Sequence, residues 1–554
     1  MKFNLKTLVT VFVSWLSCIS YGGVNLKNGN FYISYNDYDL ESYNGALDEI
    51  SKTYNSKSTY IGLFGFGWNS DFETFINVYP DNSISLHEKG GGLTVYFSSE
   101  FSSMEETSAM IETIIETAIS QGDIDNSPSA ILELRQKLAN NIESRTRDWD
   151  KYVENGILKY KTDAPDGMEW TAKGYGTHKI IKTQTGYLRE KGDGEKEFFN
   201  PDGKLIKIEK RDGSITEFEY INGELSKIII PNQLILDIKT NENGFITEIK
   251  SQNGTASYSY DEKRLIKSTD AGNNIYQFSY DVNYNLTSIT YEDGSKMLIT
   301  YHPKTLFTKS VTDRNGEITE YEYIVFYNED GSENNDHYAT KVIKTDPYSE
   351  EKYENYYEYL IKTKPNGERF TYMTITDING YKTTTFYDEV CTNNIISITK
   401  GDETTNFKYN PDCNLTEKKT PDGEEIFMEY HPVFKKLTKV TNSEGTTIFE
   451  YNDNAELVFA KVNDEKWIKL VYDNNNKIIQ LEDDDNKIKF EYNTMGKPVK
   501  IELEGKGALD IEYDPTGEII SVNSTGGHQV SLMVTQTFQQ LLSIVKPAGV
   551  NLGF

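Results

Sequence analysis

Short runs of alternating apolar and polar residues, separated by glycine-containing turns, fill most of this chain. Ile215, Glu217 and Glu219 alternate with Thr216, Phe218 and Tyr220. A period of two turns one face of a strand toward a core and leaves the other wet. Asp193-Gly194, Pro201-Asp202-Gly203, Asn222-Gly223 and Asn243-Gly244 punctuate these runs. Such dipeptides tolerate positive φ and predict tight hairpins. The pattern predicts a mainly β chain, with an antiparallel hairpin array over residues 156–525.

A slower rhythm runs through that array. Tyr260, Tyr280 and Tyr301, and later Tyr409, Tyr430, Tyr451, Tyr472, Tyr492 and Tyr513, recur every 20 or 21 residues. A constant period of this size marks a repeat architecture. Regular spacing assigns the tyrosines to structure, as ladders across adjacent strands whose hydroxyls can stay wet. A carbohydrate-stacking platform is the alternative. Between 302 and 400 the period blurs; the stretch still reads as hairpins with longer excursions, and the acidic loop from Asn328 to Asp336 predicts a break in the regularity.

Three other segments depart from the array. Residues 23–99 read as a small antiparallel β block, with glycines alternating with aromatics through Gly65-Phe66-Gly67-Trp68. Residues 100–155 read as a two-helix insertion, with an apolar stripe through Met110, Ile111, Ile114 and Ile115. A second helix is expected from Pro128 to Trp149 or Tyr152. A coiled-coil partner surface is its other reading. Residues 526–554 read as an amphipathic tail carrying Leu532, Phe538, Leu541 and Leu542. That tail is expected either to cap the array or to dock a partner.

Composition adds a destination and excludes partners. Lys2 and Lys6 before the apolar run Leu8 to Ile19 predict an export signal over residues 1–22. A lipidated Cys18 is the alternative. The expected location is extracellular or at the cell surface, with the periplasm also open. Beyond that run, nothing is long and apolar enough to cross a bilayer. Net charge is −29, from 86 acidic against 57 basic residues, which argues against nucleic acid as a partner. Export places Cys391 and Cys413, one repeat apart, where a disulfide can form; two free thiols is the other reading.

Candidate chemistry is sparse. The six histidines lack metal-ligand spacing, and His87 reads as a surface or rim residue. The cluster Glu482 to Asn486 reads as a solvated turn rather than a calcium loop. No catalytic residue, metal or cofactor is expected.

Tyr260-Asp261, Tyr280-Asp281, Tyr472-Asp473 and Tyr513-Asp514, with the later turns Asp293-Gly294 and Pro421-Asp422-Gly423, resemble the Rhs and YD-repeat family. The Gly65-Phe66-Gly67-Trp68 block resembles the region that precedes such repeats. The resemblance implies an antiparallel ribbon spiralling into a shell or partial shell, which in several members encloses a toxic domain. Here Asp473 to Asn476 and Asp483 to Lys487 lack the expected turn glycine, and no toxin-sized segment follows the repeats. Three functions follow as expectations. The first is an exported noncatalytic scaffold for envelope structure, adhesion or binding of a protein. The second is a protein that binds or acts on a surface glycan, through a cleft between the first block and the array. The third is a shell for a separately encoded effector.

Overall fold

The computed structural model describes residues 21–527, apart from 41, 42, 44, 100, 101, 162, 163, 173–176, 212, 232, 350, 366, 464, 475, 494, 495, 515–518 and 526, and beyond them residues 532, 534 and 536. Its main element is one antiparallel sheet of 33 strands, from Glu169–Thr171 to Ile519–Ser524. Every strand pairs with its neighbours in sequence, and among the described residues the first and last strands do not pair with each other.

The alternation explains the strands. Thr216 and Phe218 are buried while Glu217 and Glu219 are exposed. The Asp or Asn after each repeat tyrosine explains the turns. Asp281 Oδ1 accepts the N–H groups of Asn283 at 2.8 Å and Asn285 at 2.9 Å. Asn452 does the same with Asn454 and Glu456. One residue of the turn must adopt left-handed φ, which glycine takes most easily. Gly244 does so at +79°, and Asn476 takes the place at +60° where the sequence lacks the glycine. The turn from Asp483 is shorter, closed by the Asp483 N–H on the Asn486 carbonyl.

Between 302 and 400 the chain forms hairpins, and the excursions expected as loops are longer strands. Ile318–Tyr327, Glu333–Thr345, Lys352–Thr363 and Arg369–Ile378 span 10 to 13 residues, where neighbouring repeats use 5 to 7. Alternation continues through them, so extra length extends the ladder and the period stretches. The acidic stretch turns at 328–332 and is already strand from Glu333.

The N-terminal block forms three small sheets, the largest made of Tyr21–Asn25, Asn30–Asp39, Glu49–Asn55 and Trp68–Ser70. Of the expected leader, residues 1–20 lie outside the described residues, while Tyr21 and Gly22 pair with Ser34 and Ile33. The block packs on one face of the ribbon, the inner face. Trp68 lies 4.9 Å from Phe278 edge-on, and its indole N–H donates to Tyr280 at 2.8 Å. Tyr54 accepts the Leu286 N–H at 3.0 Å. Gly65 has φ +93°, and a Cβ there would lie 2.5 Å from the Lys263 carbonyl. Only glycine lets the block approach that hairpin so closely.

The insertion holds three helices, not two: α1 (Met104–Gln121), α2 (Pro128–Asn140) and α3 (Ile142–Glu154). Asn141 breaks the expected second helix. It adopts extended φ and ψ, and its side chain caps α3 by accepting the Ser144 N–H at 2.9 Å. The helices share a separate apolar core with Tyr79. Arg145, buried against Asp81 at 2.8 Å, fixes them to the block.

The ribbon has two apolar cores. One joins the block to the first half of the array, as far as Ile299. The other runs from Ile426 to Leu509. The two halves meet at a seam. Arg211 donates to the Asn454 carbonyl at 3.0 Å, and the Asn476 amide donates to the Arg211 carbonyl at 2.9 Å. These partners are 243 and 265 residues apart, so the ribbon coils back on itself.

Candidate functional site

Most of the repeat tyrosines pack against the ribbon's two cores, and their hydroxyls make a bond that the spacing does not reveal. In each repeat the register slips by one residue just before the tyrosine, as between Glu450 and Tyr451. This bulge re-aims the side chain toward the preceding strand. Tyr451 donates to the Leu437 carbonyl at 2.8 Å, Tyr472 to Leu457 at 2.8 Å, Tyr492 to Ile478 at 2.7 Å and Tyr513 to Pro498 at 2.9 Å. Tyr409 and Tyr430 donate to Ile395 and Leu415. Tyr260, Tyr280 and Tyr301 donate to Ile246, Leu265 and Leu286. The acceptor always lies 14 or 15 residues back. The hydroxyls are therefore not wet. The Leu265 carbonyl lies beyond the last pair that its strand makes with the strand of Tyr280, Lys267 with Gln277, and the phenol supplies its donor. Burial pushes the phenols of Tyr451 and Tyr472 up to about 12. Sequence reasoning missed Tyr220 and Tyr323, which bond Leu205 and Thr308 in the same way.

Cys391 and Cys413 are disulfide-bonded, with Cα atoms 5.4 Å apart. Cys413 occupies the left-handed turn position of its repeat, at φ +65°. In the tail, Leu532 is exposed and Val534 is buried within the second core. Phe538, Leu541 and Leu542 lie outside the described residues. Asp483 spends its Oδ1 on the N–H groups of Asp485 and Asn486, as a turn residue does. Among the described residues no group of His, Cys, Asp and Glu is placed to hold a metal ion. His87 is half-buried rather than at the surface. It stacks on Phe75 at 4.5 Å, and burial pushes it down to about 4.

A cavity of about 470 Å³ opens between the N-terminal block and the array. The block contributes Asp39, Glu49, Asp71 and Glu88, and the array contributes Lys191, Glu197 and Lys210. Asp39 and Glu49 are directly opposed in register, an arrangement that like charges disfavour. Burial, then Asp71, raises the Glu49 carboxyl above its usual range. The array side is charge-matched. Arg189 donates to Glu197 at 2.7 Å, to Glu88, and through Nε to His178 Nε2 at 2.7 Å. Burial opposes the Glu197 charge, but Arg189 and Lys191 outweigh it and hold the carboxyl low. Burial, reinforced by Arg189, pushes His178 down to about 4.

Behind the cavity wall sit two buried acids. Asp37 pairs with the fully buried Lys52 and accepts from Tyr258 at 2.8 Å. Glu73 accepts from the N–H groups of Leu63 at 2.6 Å and Ser70 at 2.8 Å, and burial pushes it up to about 7. These groups hold the block in shape. The cavity can accept a polar, hydrogen-bonding ligand and is too charged to favour an apolar one.

Residues 198–552, well over half the chain, match the teneurin YD-shell family. The chain belongs to that family. It is an Rhs/YD-repeat protein, as its Tyr-Asp units imply. Residues 22–96 match a domain of unknown function (DUF6531), so the YD shell is preceded by a block that is itself a recurring unit. Comparison with curated proteins returns no match. Similar solved structures include the complex TcdB2-TccC3-Cdc42, with 9% identity and a TM-score of 0.43 over 88% of this chain. A Photorhabdus luminescens Tc holotoxin pore has 10% identity and a TM-score of 0.41 over 94%. The chain spans 27% and 34% of the length of those two chains. Among the described residues of this YD shell, no helix is long and apolar enough to cross a membrane.

Proposed function

We propose that this chain is an exported, noncatalytic YD-shell scaffold that holds a separately encoded polypeptide against the inner face of its ribbon. The observation that carries the reading is the packing of the N-terminal block. The ribbon already shelters one folded polypeptide there, with Trp68, Tyr54 and Phe64 almost wholly withdrawn from solvent. Export is supported by the basic start and apolar run of residues 1–22, and by the disulfide.

The test is to purify the full chain from its own host and identify polypeptides that travel with it, then add protease. The expected result is a stoichiometric companion that resists cleavage until denaturant unfolds the ribbon. A companion cut at the same rate with and without the ribbon would overturn the proposal.

The charged cavity favours a second reading, binding or hydrolysis of a surface glycan. A glycan array with the wild-type chain and Glu49→Gln tests it. Glycan binding that the substitution leaves unchanged would remove the cavity from that role.

A further inference from the structure

Between the two cores lies a stretch of ribbon that belongs to neither. Its strands are the long ones, Ile318–Tyr327 through Arg369–Ile378, followed by Tyr381–Tyr387. Their register gathers tyrosines on one face. Tyr321 shares a row with Tyr381, Tyr323 with Tyr357, and Tyr338 with Tyr359. Threonines fill most of the remaining places, and no carboxylate occupies these rows. Glu322, Lys341, Glu354 and Glu358 point to the opposite face, while Lys344 stands on the tyrosine face opposite Tyr353 and is paired with Glu317 at 2.7 Å.

The tyrosine face is the inner one. Thr340 donates to the Leu26 carbonyl of the N-terminal block at 2.7 Å. Lys27 comes down beside it, with its ammonium 5.4 Å from the centre of the Tyr359 ring and 3.1 Å from the Thr371 hydroxyl. This face therefore already takes one lysine, from its own chain. Thr340, Tyr359 and Thr374 are buried, whereas Tyr353, in the adjoining row opposite Lys344, is 51% exposed and Tyr381 81%. Acids stand at the rim, where Tyr353 donates to Glu351 at 2.8 Å. The whole molecule carries −29.

We propose that this tyrosine face docks a lysine- and arginine-rich extended segment of the polypeptide that the ribbon holds. The identification rests on the holder reading above. An aromatic face attracts cations through its ring quadrupole, threonine hydroxyls bond the ammonium or guanidinium, and a net acidic surround draws the segment in. The Lys27 contact is this arrangement in miniature.

The experiment uses the full chain and fluorescent decamers of lysine, of glutamate and of alternating glycine and serine, with cellohexaose as a neutral sugar. The lysine decamer is expected to bind, and the paired substitution Tyr353→Ala with Tyr381→Ala to weaken it about four- to twenty-five-fold, as two exposed ring contacts at roughly two- to fivefold each imply. Both rings are exposed, so the melting temperature should stay unchanged. The pair Tyr353→Phe with Tyr381→Phe keeps the rings and should keep the binding. Lysine-decamer binding that the alanine pair leaves intact would overturn the proposal, because general attraction to an acidic molecule would then explain it. Binding of cellohexaose that the alanine pair removes, with no effect on the lysine decamer, would overturn it in favour of a glycan. Protease shelter of a companion that survives the alanine pair would overturn the docking surface while leaving the holder reading standing. Loss of decamer binding in a chain that shelters no companion would support the surface and sink the holder reading.

Discussion

A phenylalanine in place of Tyr451 keeps the ring and removes only the donor to the Leu437 carbonyl. It should cost about 1 kcal/mol, visible as a lower denaturation midpoint in urea. At Tyr280 the same change also strands the Trp68 indole N–H, so the loss should be larger. The tyrosine spacing was legible because it is a property of side chains. The hydrogen bond was not, because its acceptor is a backbone carbonyl, carried by leucine, isoleucine, threonine or proline without distinction. Two buried groups set opposite pH dependences. His178, held near 4 in the folded chain against 6.5 when free, binds fewer protons folded than unfolded between those values. Its contribution is complete above about pH 6.5 and is lost as pH falls through 4. Glu73, raised to about 7 from 4.5, contributes most below pH 4.5 and loses that contribution as pH rises through 7. Stability measured from pH 4 to 8 should therefore fall less steeply on acidification in His178→Gln, and fall less on alkalinisation in Glu73→Gln.

At the scale of elements, the disulfide staples the segment after Tyr387 to the turn of the next repeat. Replacing both Cys391 and Cys413 by alanine should lower stability by about 2–4 kcal/mol, and a reducing agent should lower the wild type by a similar amount while leaving the variant unchanged. Hairpins, the block and the helical insertion were all legible from period and turn residues, since those signals are local. The break at Asn141 was not, because one capping asparagine inside an apolar stripe leaves the stripe intact. The extra length of the long strands read as loop excursions from hairpins for a related reason. Acidic residues on a wet strand face resemble a loop until the register pairs Lys341 opposite Glu322.

For the whole molecule, the seam at Arg211 is the feature that makes a coil of a ribbon. Arg211→Ala removes the donor to the Asn454 carbonyl and should speed amide hydrogen exchange around 452–456, while the Asn476 bond to the main-chain carbonyl of residue 211 survives and the strands from Arg264 to Tyr291 do not change. The seam and the cavity were hidden from sequence because they join residues with no shared local pattern: Arg211 with Asn454, Glu49 with Glu197. The block's position has a consequence in time. A sheet whose strands pair only with their neighbours can be laid down in the order of synthesis, with little delay for distant contacts. The block cannot. Tyr54 waits 232 residues for the Leu286 amide, and Gly29 waits 279 for Thr308. During that interval a nascent chain carries a cluster of uncovered aromatics, so its exposure to aggregation is set by how soon residue 308 emerges, not by the number of strands still to come.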